Sequence, residues 1–263
     1  MPTATNGGVD LHYAVKGEGP TLVFCGEAGL GAWLWSYQLG GLPENVETLV
    51  WDYRGTGESD APGGTYDVET LVADLDAVLS DHGARSVHLV GAGLGGAVAI
   101  EYARQSGRVK TLTLFGTPTG PEDIDESALD RLWAPREDSE ALRESLRVAF
   151  APGVVDSHGE EMDRIVGWRR EDDADRTGWE GQRAALLGWE LTEPYEVTTP
   201  ARVFHGVEDA IVDPGAGETL AEALPRGEYT AVEGGHCCFV ESAQAVTDEL
   251  LALLEDAGAF ETE

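Results

Sequence analysis

Apolar positions along this chain come in short runs punctuated by glycine, and their period switches between two and about 3.6. Residues 9–15 alternate and predict an edge strand, closed by Gly17-Glu-Gly-Pro20. Residues 21–25 form a short apolar run that reads as a buried strand, followed by the loop Gly26-Glu-Ala-Gly-Leu-Gly31. An aromatic stretch over 33–42 reads as helix or helical turn. A strand over 47–51 then runs into Asp52-Tyr-Arg-Gly-Thr-Gly-Glu-Ser-Asp60. Over 67–82, Leu71, Leu75, Val78 and Leu79 share one helical face, with the stop residue Gly83 just beyond. Val87 to Val90 are apolar and rich in β-branched residues. A tight glycine turn and an Ala/Ile/Tyr-rich helix follow them, then a strand over 109–115.

From 119 to about 199 strand patterns vanish, and acidic helical segments carry Trp133, Trp168, Trp179 and Trp189. Alternation returns at 202–204, with a helix near 217–224, a strand over 228–232 and an amphipathic helix over 243–254. Strands alternating with helices predict an α/β fold with a mostly parallel, doubly wound sheet. The chain therefore divides into a core of residues 1–118 and 200–263 and an inserted helical cap of residues 119–199. The four cap tryptophans are expected to anchor cap to sheet, and some to line an apolar pocket above Gly93.

Charge changes the picture of the surface but not of the fold. The 263 residues hold 49 Asp and Glu against 17 Lys and Arg, a net charge of -32, and Lys16 and Lys110 are the only lysines. Acid spread along the whole chain suits a salt-accumulating, halophilic cytosol, where salt screens the self-repulsion. It also argues against nucleic acid and anionic membranes as partners. Cys25, Cys237 and Cys238 lack metal-binding spacing and read as reduced core residues. No signal-like or membrane-spanning stretch stands out, so a cytoplasmic location is expected.

The strand–turn–helix around Gly91-Ala-Gly-Leu-Gly-Gly96 fits two kinds of site. Gly91, Gly93 and Gly96 satisfy the G-x-G-x-x-G pattern that lets a backbone approach a dinucleotide. The next strand, however, ends Leu114-Phe-Gly-Thr117, without the carboxylate a ribose would need, and the motif lies in mid-chain. Gly91 and Gly95 also frame G-x-S-x-G, the turn that presents a nucleophilic serine, with Gly93 in the serine's place.

Separate motifs favour the second pattern. Asp52-Tyr-Arg-Gly-Thr-Gly-Glu-Ser59, the turn over 87–96, His205-Gly-Val-Glu-Asp209 and Gly234-Gly-His236 occur in this order. Over roughly 9–254 the chain resembles the α/β-hydrolase superfamily, and within it the small esterase, lactonase and enol-lactonase branch. The resemblance implies that Asp209 is the triad acid and His236 the triad base. It also implies a small-molecule ligand or substrate, and no cofactor or metal.

Four positions, Gly26, Glu27, Ala92 and Gly93, depart from that pattern. Gly93 has no side chain, and its neighbours Ala92 and Leu94 supply no nucleophile. The loop that normally reads H-G-x-G is Gly26-Glu-Ala-Gly29, which puts Glu27 in the second place. Directed inward, that carboxylate would oppose a developing oxyanion. Directed outward, it would join the acidic surface, and the sequence leaves both directions open. The expectation is a pseudo-hydrolase that binds a small apolar ligand under the cap. The alternative is an enzyme using His236 and Asp209 as a general base without a serine. A dinucleotide binder comes third.

Overall fold

The computed structural model describes residues 2–260. Its strands are β1 (Thr3–Asn6), β2 (Val9–Lys16), β3 (Thr21–Cys25), β4 (Glu47–Trp51), β5 (Val87–Ala92), β6 (Val109–Phe115), β7 (Ala201–Gly206) and β8 (Gly227–Val232). They form one eight-stranded sheet in the order β1-β2-β4-β3-β5-β6-β7-β8. β1 and β2 run antiparallel to their neighbours and the remaining pairs are parallel. The α/β, doubly wound reading therefore holds.

Burial explains why the strands read as they do. β3 and β5 are buried at every residue, because a parallel strand covered on both faces needs a continuous apolar run rather than alternation. β2 alternates because Leu11 and Tyr13 are buried while the residues on either side of them are partly or fully exposed. The sheet edge, however, is β1 rather than β2, which is paired on both sides. Thr3–Asn6 escapes the pattern because four mostly polar residues carry almost no periodic signal.

Among the helices, α1 (Ser36–Gly41), α2 (Val68–His82), α3 (Leu94–Gln105), α9 (Pro214–Ala223), α10 (Cys238–Glu241) and α11 (Ala243–Asp256) flank the sheet. Asp67 caps α2 by accepting a hydrogen bond from the Thr70 N–H at 2.9 Å. α9 begins three residues before the expected start near 217, where Asp213 caps it and Pro214 takes its first turn. Among the described residues, no helix is long and apolar enough to cross a membrane.

Between β6 and β7 lie α4 (Glu126–Leu132), α5 (Ser139–Ala149), α6 (Val154–Ser157), α7 (Gly159–Asp172) and α8 (Arg176–Leu187). This helical insertion falls within the 119–199 segment; Met1 and 261–263, at the ends of the expected core ranges, lie outside the described residues. Three of its tryptophans contact the core, whereas the Trp133 indole donates to Ala174 O within the insertion itself. Trp168 stacks on Trp33 with ring centres 6.5 Å apart, and the Trp189 indole N–H donates to Glu101 at 3.1 Å. Trp179 lies so close to Gly29 that a methyl group built there would meet its ring at 2.6 Å. Arg169, only 1 % exposed, joins α7 to α4 and α5 by donating to Leu132 O, Leu142 O and Ser145 Oγ.

Candidate active site

The turn from β5 into α3 keeps the backbone shape that a nucleophile turn needs. Gly93 sits there with φ 47° and ψ −108°. A side chain is strained in that region by about 1–3 kcal/mol, and glycine is not. The turn is fixed from both sides: the Gly93 N–H donates to Phe115 O at 2.9 Å, and the Gly96 N–H donates to Gly93 O at 3.0 Å. Its neighbours Ala92 and Leu94 are buried. Leu94 contributes its N–H to the site rather than its side chain.

Glu27, on the loop that follows β3, turns inward and is 1 % exposed. A Cβ on Gly93 would collide with its Oε2 atom and its carboxyl carbon. The carboxylate therefore occupies the space that a side chain at position 93 would fill. Its other oxygen, Oε1, accepts from the Ala28 N–H at 2.5 Å and the Leu94 N–H at 3.3 Å. Gly26, buried to an intermediate degree, directly follows β3, and the turn closed by the Leu30 N–H on Glu27 O comes after it. Two N–H groups converging on one oxygen, from this loop and from the residue after the turn, form the geometry that binds an oxyanion elsewhere. Here Oε1 of Glu27 fills it.

His236 comes from the loop after β8 and Asp209 from the loop after β7. The imidazole bridges two carboxylates, with Nδ1 2.8 Å from Asp209 Oδ2 and Nε2 2.8 Å from Glu27 Oε2. Burial by itself would lower its proton affinity, but Asp209 and Glu27 outweigh it and push His236 up to about 10. Both ring nitrogens then carry protons and donate, leaving no basic lone pair at neutral pH. Asp209 is held below the usual carboxylate range although burial opposes this, because His236 and His205 stabilise its charge. Its Oδ1 also accepts from the N–H groups of Ile211 and Val212 at 2.8 and 3.0 Å.

The other candidates fall away for physical reasons. Cys25, Cys237 and Cys238 are buried, and burial pushes the thiols of Cys25 and Cys238 up to about 12. The glycines of the dinucleotide-like pattern serve packing. A methyl group on Gly91 would strike Gly95 O, and one on Gly96 would strike the Thr117 side chain. Above Gly93, where a pyrophosphate would approach, stands the Glu27 carboxylate.

Several residues that shape the site carry no local signal in the sequence. The Gly29 N–H donates to Gln182 Oε1 at 2.7 Å, and the Ala174 N–H donates to Gly29 O at 2.9 Å. Asp173 Oδ1 accepts from the Gly31 N–H at 3.1 Å and the Trp33 indole at 2.7 Å. Together these bonds clamp the Glu27 loop to the helical insertion. On the histidine side, Glu241 accepts from the Gly235 N–H at 2.7 Å, and the Cys237 N–H donates to Ala149 O at 2.8 Å. These partners lie up to 153 residues apart in sequence, beyond the reach of any spacing rule.

A parallel sheet whose carboxyl-end loops bring a sharp strand–helix turn, an acid and a histidine to one point is the plan of the α/β-hydrolase class. The chain belongs to the alpha/beta hydrolase family, whose sequence description matches residues 22–249. Among solved structures it is similar to the enol-lactonase from Burkholderia xenovorans LB400. The TM-score is 0.85 and the identity 25 %, covering 97 % of this chain and 100 % of the other. It is also similar to a hydrolase from Pseudomonas aeruginosa PA01, with TM-score 0.84 and 26 % identity over 95 % and 96 % of the two chains. A sequence relative, 3-oxoadipate enol-lactonase 2 of Acinetobacter baylyi, is 22 % identical over 263 aligned residues, 96 % of each chain.

Proposed function

We propose that this protein has left serine-based acyl transfer and acts as a pseudo-hydrolase toward esters and lactones, keeping a site for a small apolar ligand beneath the helical insertion. One observation carries the reading: the Glu27 carboxylate fills the nucleophile position at Gly93 and the pair of N–H donors from Ala28 and Leu94 at the same time. An ester carbonyl needs both places. The fixed negative charge there also opposes the charge that would develop on it. The acidic surface supports work in concentrated salt, in the cytoplasm and apart from nucleic acid and membranes.

A second reading is favoured by the intact His236–Asp209 pair, which could serve as a general base without a serine. It requires that Glu27 first lose its contact with His236, because His236 holds its proton while both carboxylates face it.

The test is hydrolysis of a panel of esters and lactones in molar KCl. Native protein runs beside His236→Ala and a revertant carrying Gly26→His, Glu27→Gly, Ala92→His and Gly93→Ser. Native protein is expected to match His236→Ala, and the revertant to hydrolyse. Turnover by native protein that disappears in His236→Ala would overturn the main reading in favour of the second.

A further inference from the structure

The parallel strands present two edges, and the site around Gly93 uses only one of them. The Gly93 turn, Asp209 and His236 all follow the carboxyl ends of strands. At the amino ends of β3, β5 and β6 lies a separate cavity of about 510 Å³, whose lining includes Thr21, Ser86, His88, Lys110 and Gly258.

Its chemistry differs from that of the surface around it. The chain holds 49 acidic residues, yet none lines this cavity among the described residues. Glu47, at the amino end of β4, is engaged by the Thr21 hydroxyl at 2.6 Å and by His82 at 3.5 Å. Lys110, one of only two lysines, lines the cavity and makes no ion pair among the described residues. His88 is 5 % exposed; its Nδ1 lies 2.8 Å from Thr111 Oγ1, and its Nε2 has no hydrogen-bond partner among the described residues. Burial, and then Lys110, push this imidazole down to about 4, so it stands neutral beside the ammonium group.

We propose that this cavity binds the phosphate group of a small phosphomonoester, held by Lys110, His88 and Ser86, with the organic part in the adjoining groove. The site touches neither Glu27 nor Gly93 and is independent of the reading above.

The lining selects that class. A phosphomonoester offers three terminal oxygens, one each for the ammonium, the imidazole Nε2 and the hydroxyl, where a carboxylate offers only two. A neutral imidazole also suits a phosphate group in both its charge states. Nε2 accepts from the P–OH of the monoanion, or donates to the dianion once the ring nitrogens exchange roles against the Thr111 hydroxyl, which can itself donate or accept.

The space around the phosphate assigns the rest of the ligand. The cavity shares Lys110 and Ala257 with a groove of about 430 Å³ at the amino ends of β6, β7 and β8. Pro200, Ala201 and Leu253 give that groove an apolar wall, against which a short hydrocarbon body fits. Arg202 is engaged there by Glu249 and Asp256, each at 2.9 Å, whereas Arg226 makes no ion pair among the described residues. The net charge of -32 repels an anion at long range, but in molar salt the screening length is about 3 Å and the local groups decide.

The experiment titrates native protein with butyl phosphate, inorganic phosphate and 1-butanol in molar KCl, read by calorimetry and by NMR of the histidine ring nitrogens. Butyl phosphate is expected to move the His88 signals saturably while those of His205 and His236 stay in place, and to bind several-fold more tightly than inorganic phosphate. Butanol should leave His88 unmoved. Lys110→Gln, at an exposed position, is expected to weaken binding about tenfold. Arg85→Gln, exposed but outside both grooves, should change it by less than about twofold. His88→Gln assigns the His88 signals; if it does not fold, the calorimetric comparison of native protein, Lys110→Gln and Arg85→Gln decides alone. No binding of butyl phosphate, binding that leaves His88 unmoved, or equal losses in Lys110→Gln and Arg85→Gln overturns the proposal. Inorganic phosphate binding as tightly as butyl phosphate overturns the ester and leaves free phosphate as the ligand.

Discussion

Oε2 of Glu27 stands where a side chain on Gly93 would have to be, so the identities of these two positions are coupled although 66 residues separate them. A serine placed at Gly93 alone meets both an occupied space and a strained backbone. Gly93→Ser is expected to lower stability by about 2–4 kcal/mol. Adding Glu27→Gly should recover more than about 1 kcal/mol relative to the sum of the single changes, measured as a double-mutant cycle by urea unfolding in constant KCl.

His236 gives the fold a dependence on alkaline pH. Its affinity for protons is higher in the folded state, up to about 10, than in the unfolded chain. The stabilisation is therefore complete below the ordinary histidine value of about 6.5 and is lost as pH rises toward 10. Stability should fall across that window by up to about 1.4 kcal/mol per pH unit, and Glu27→Gln or His236→Asn should flatten the slope. Thermal unfolding as a function of pH measures it, and an imidazolium signal from His236 persisting at about pH 8 would be its spectroscopic counterpart.

Asp173 is the residue on which the clamp turns. It accepts from Gly31, Trp33 and, at 2.5 Å, from Arg169, whose guanidinium is buried. Asp173→Ala strands that buried charge and should cost about 3–5 kcal/mol. Hydrogen exchange is expected to rise first over residues 26–34, which include Glu27, before the central strands respond.

Asp172, next to it, behaves in the opposite sense. Burial first, then Asp52, Asp173 and Glu171, push its carboxyl up to about 6, against the pull of Arg136. A carboxyl whose folded-state affinity for protons is raised stabilises the fold as pH falls below about 6 and weakens it above. Asp172→Asn should therefore raise the melting temperature by a few degrees at about pH 8 and leave it unchanged at about pH 4. Its backbone carbonyl, which accepts from the Gly57 N–H at 2.8 Å, is retained in the variant.

Much of this protein is determined by residues close together in the chain. Short apolar runs specify the strands from β3 to β6, and returning alternation specifies β7 and β8. The helical spacing of Leu71, Leu75, Val78 and Leu79 specifies α2, and the ordered motifs around Gly93, Asp209 and His236 specify the family. Hydrophobic periodicity and turn chemistry act over a few residues, so a sequence displays them directly. The absence of a side chain at Gly93 and the presence of a carboxylate at Glu27 are equally plain as letters. That the second occupies the space of the first is not. Glu27 could equally have joined the acidic surface. Its direction was decided by the approach of β3 and β5, by the N–H groups of Ala28 and Leu94, by His236 from the far end of the chain, and by the grip of Gln182 and Asp173 on its loop. A buried carboxylate is held only where enough donors converge on it, and that convergence exists only once the chain has folded.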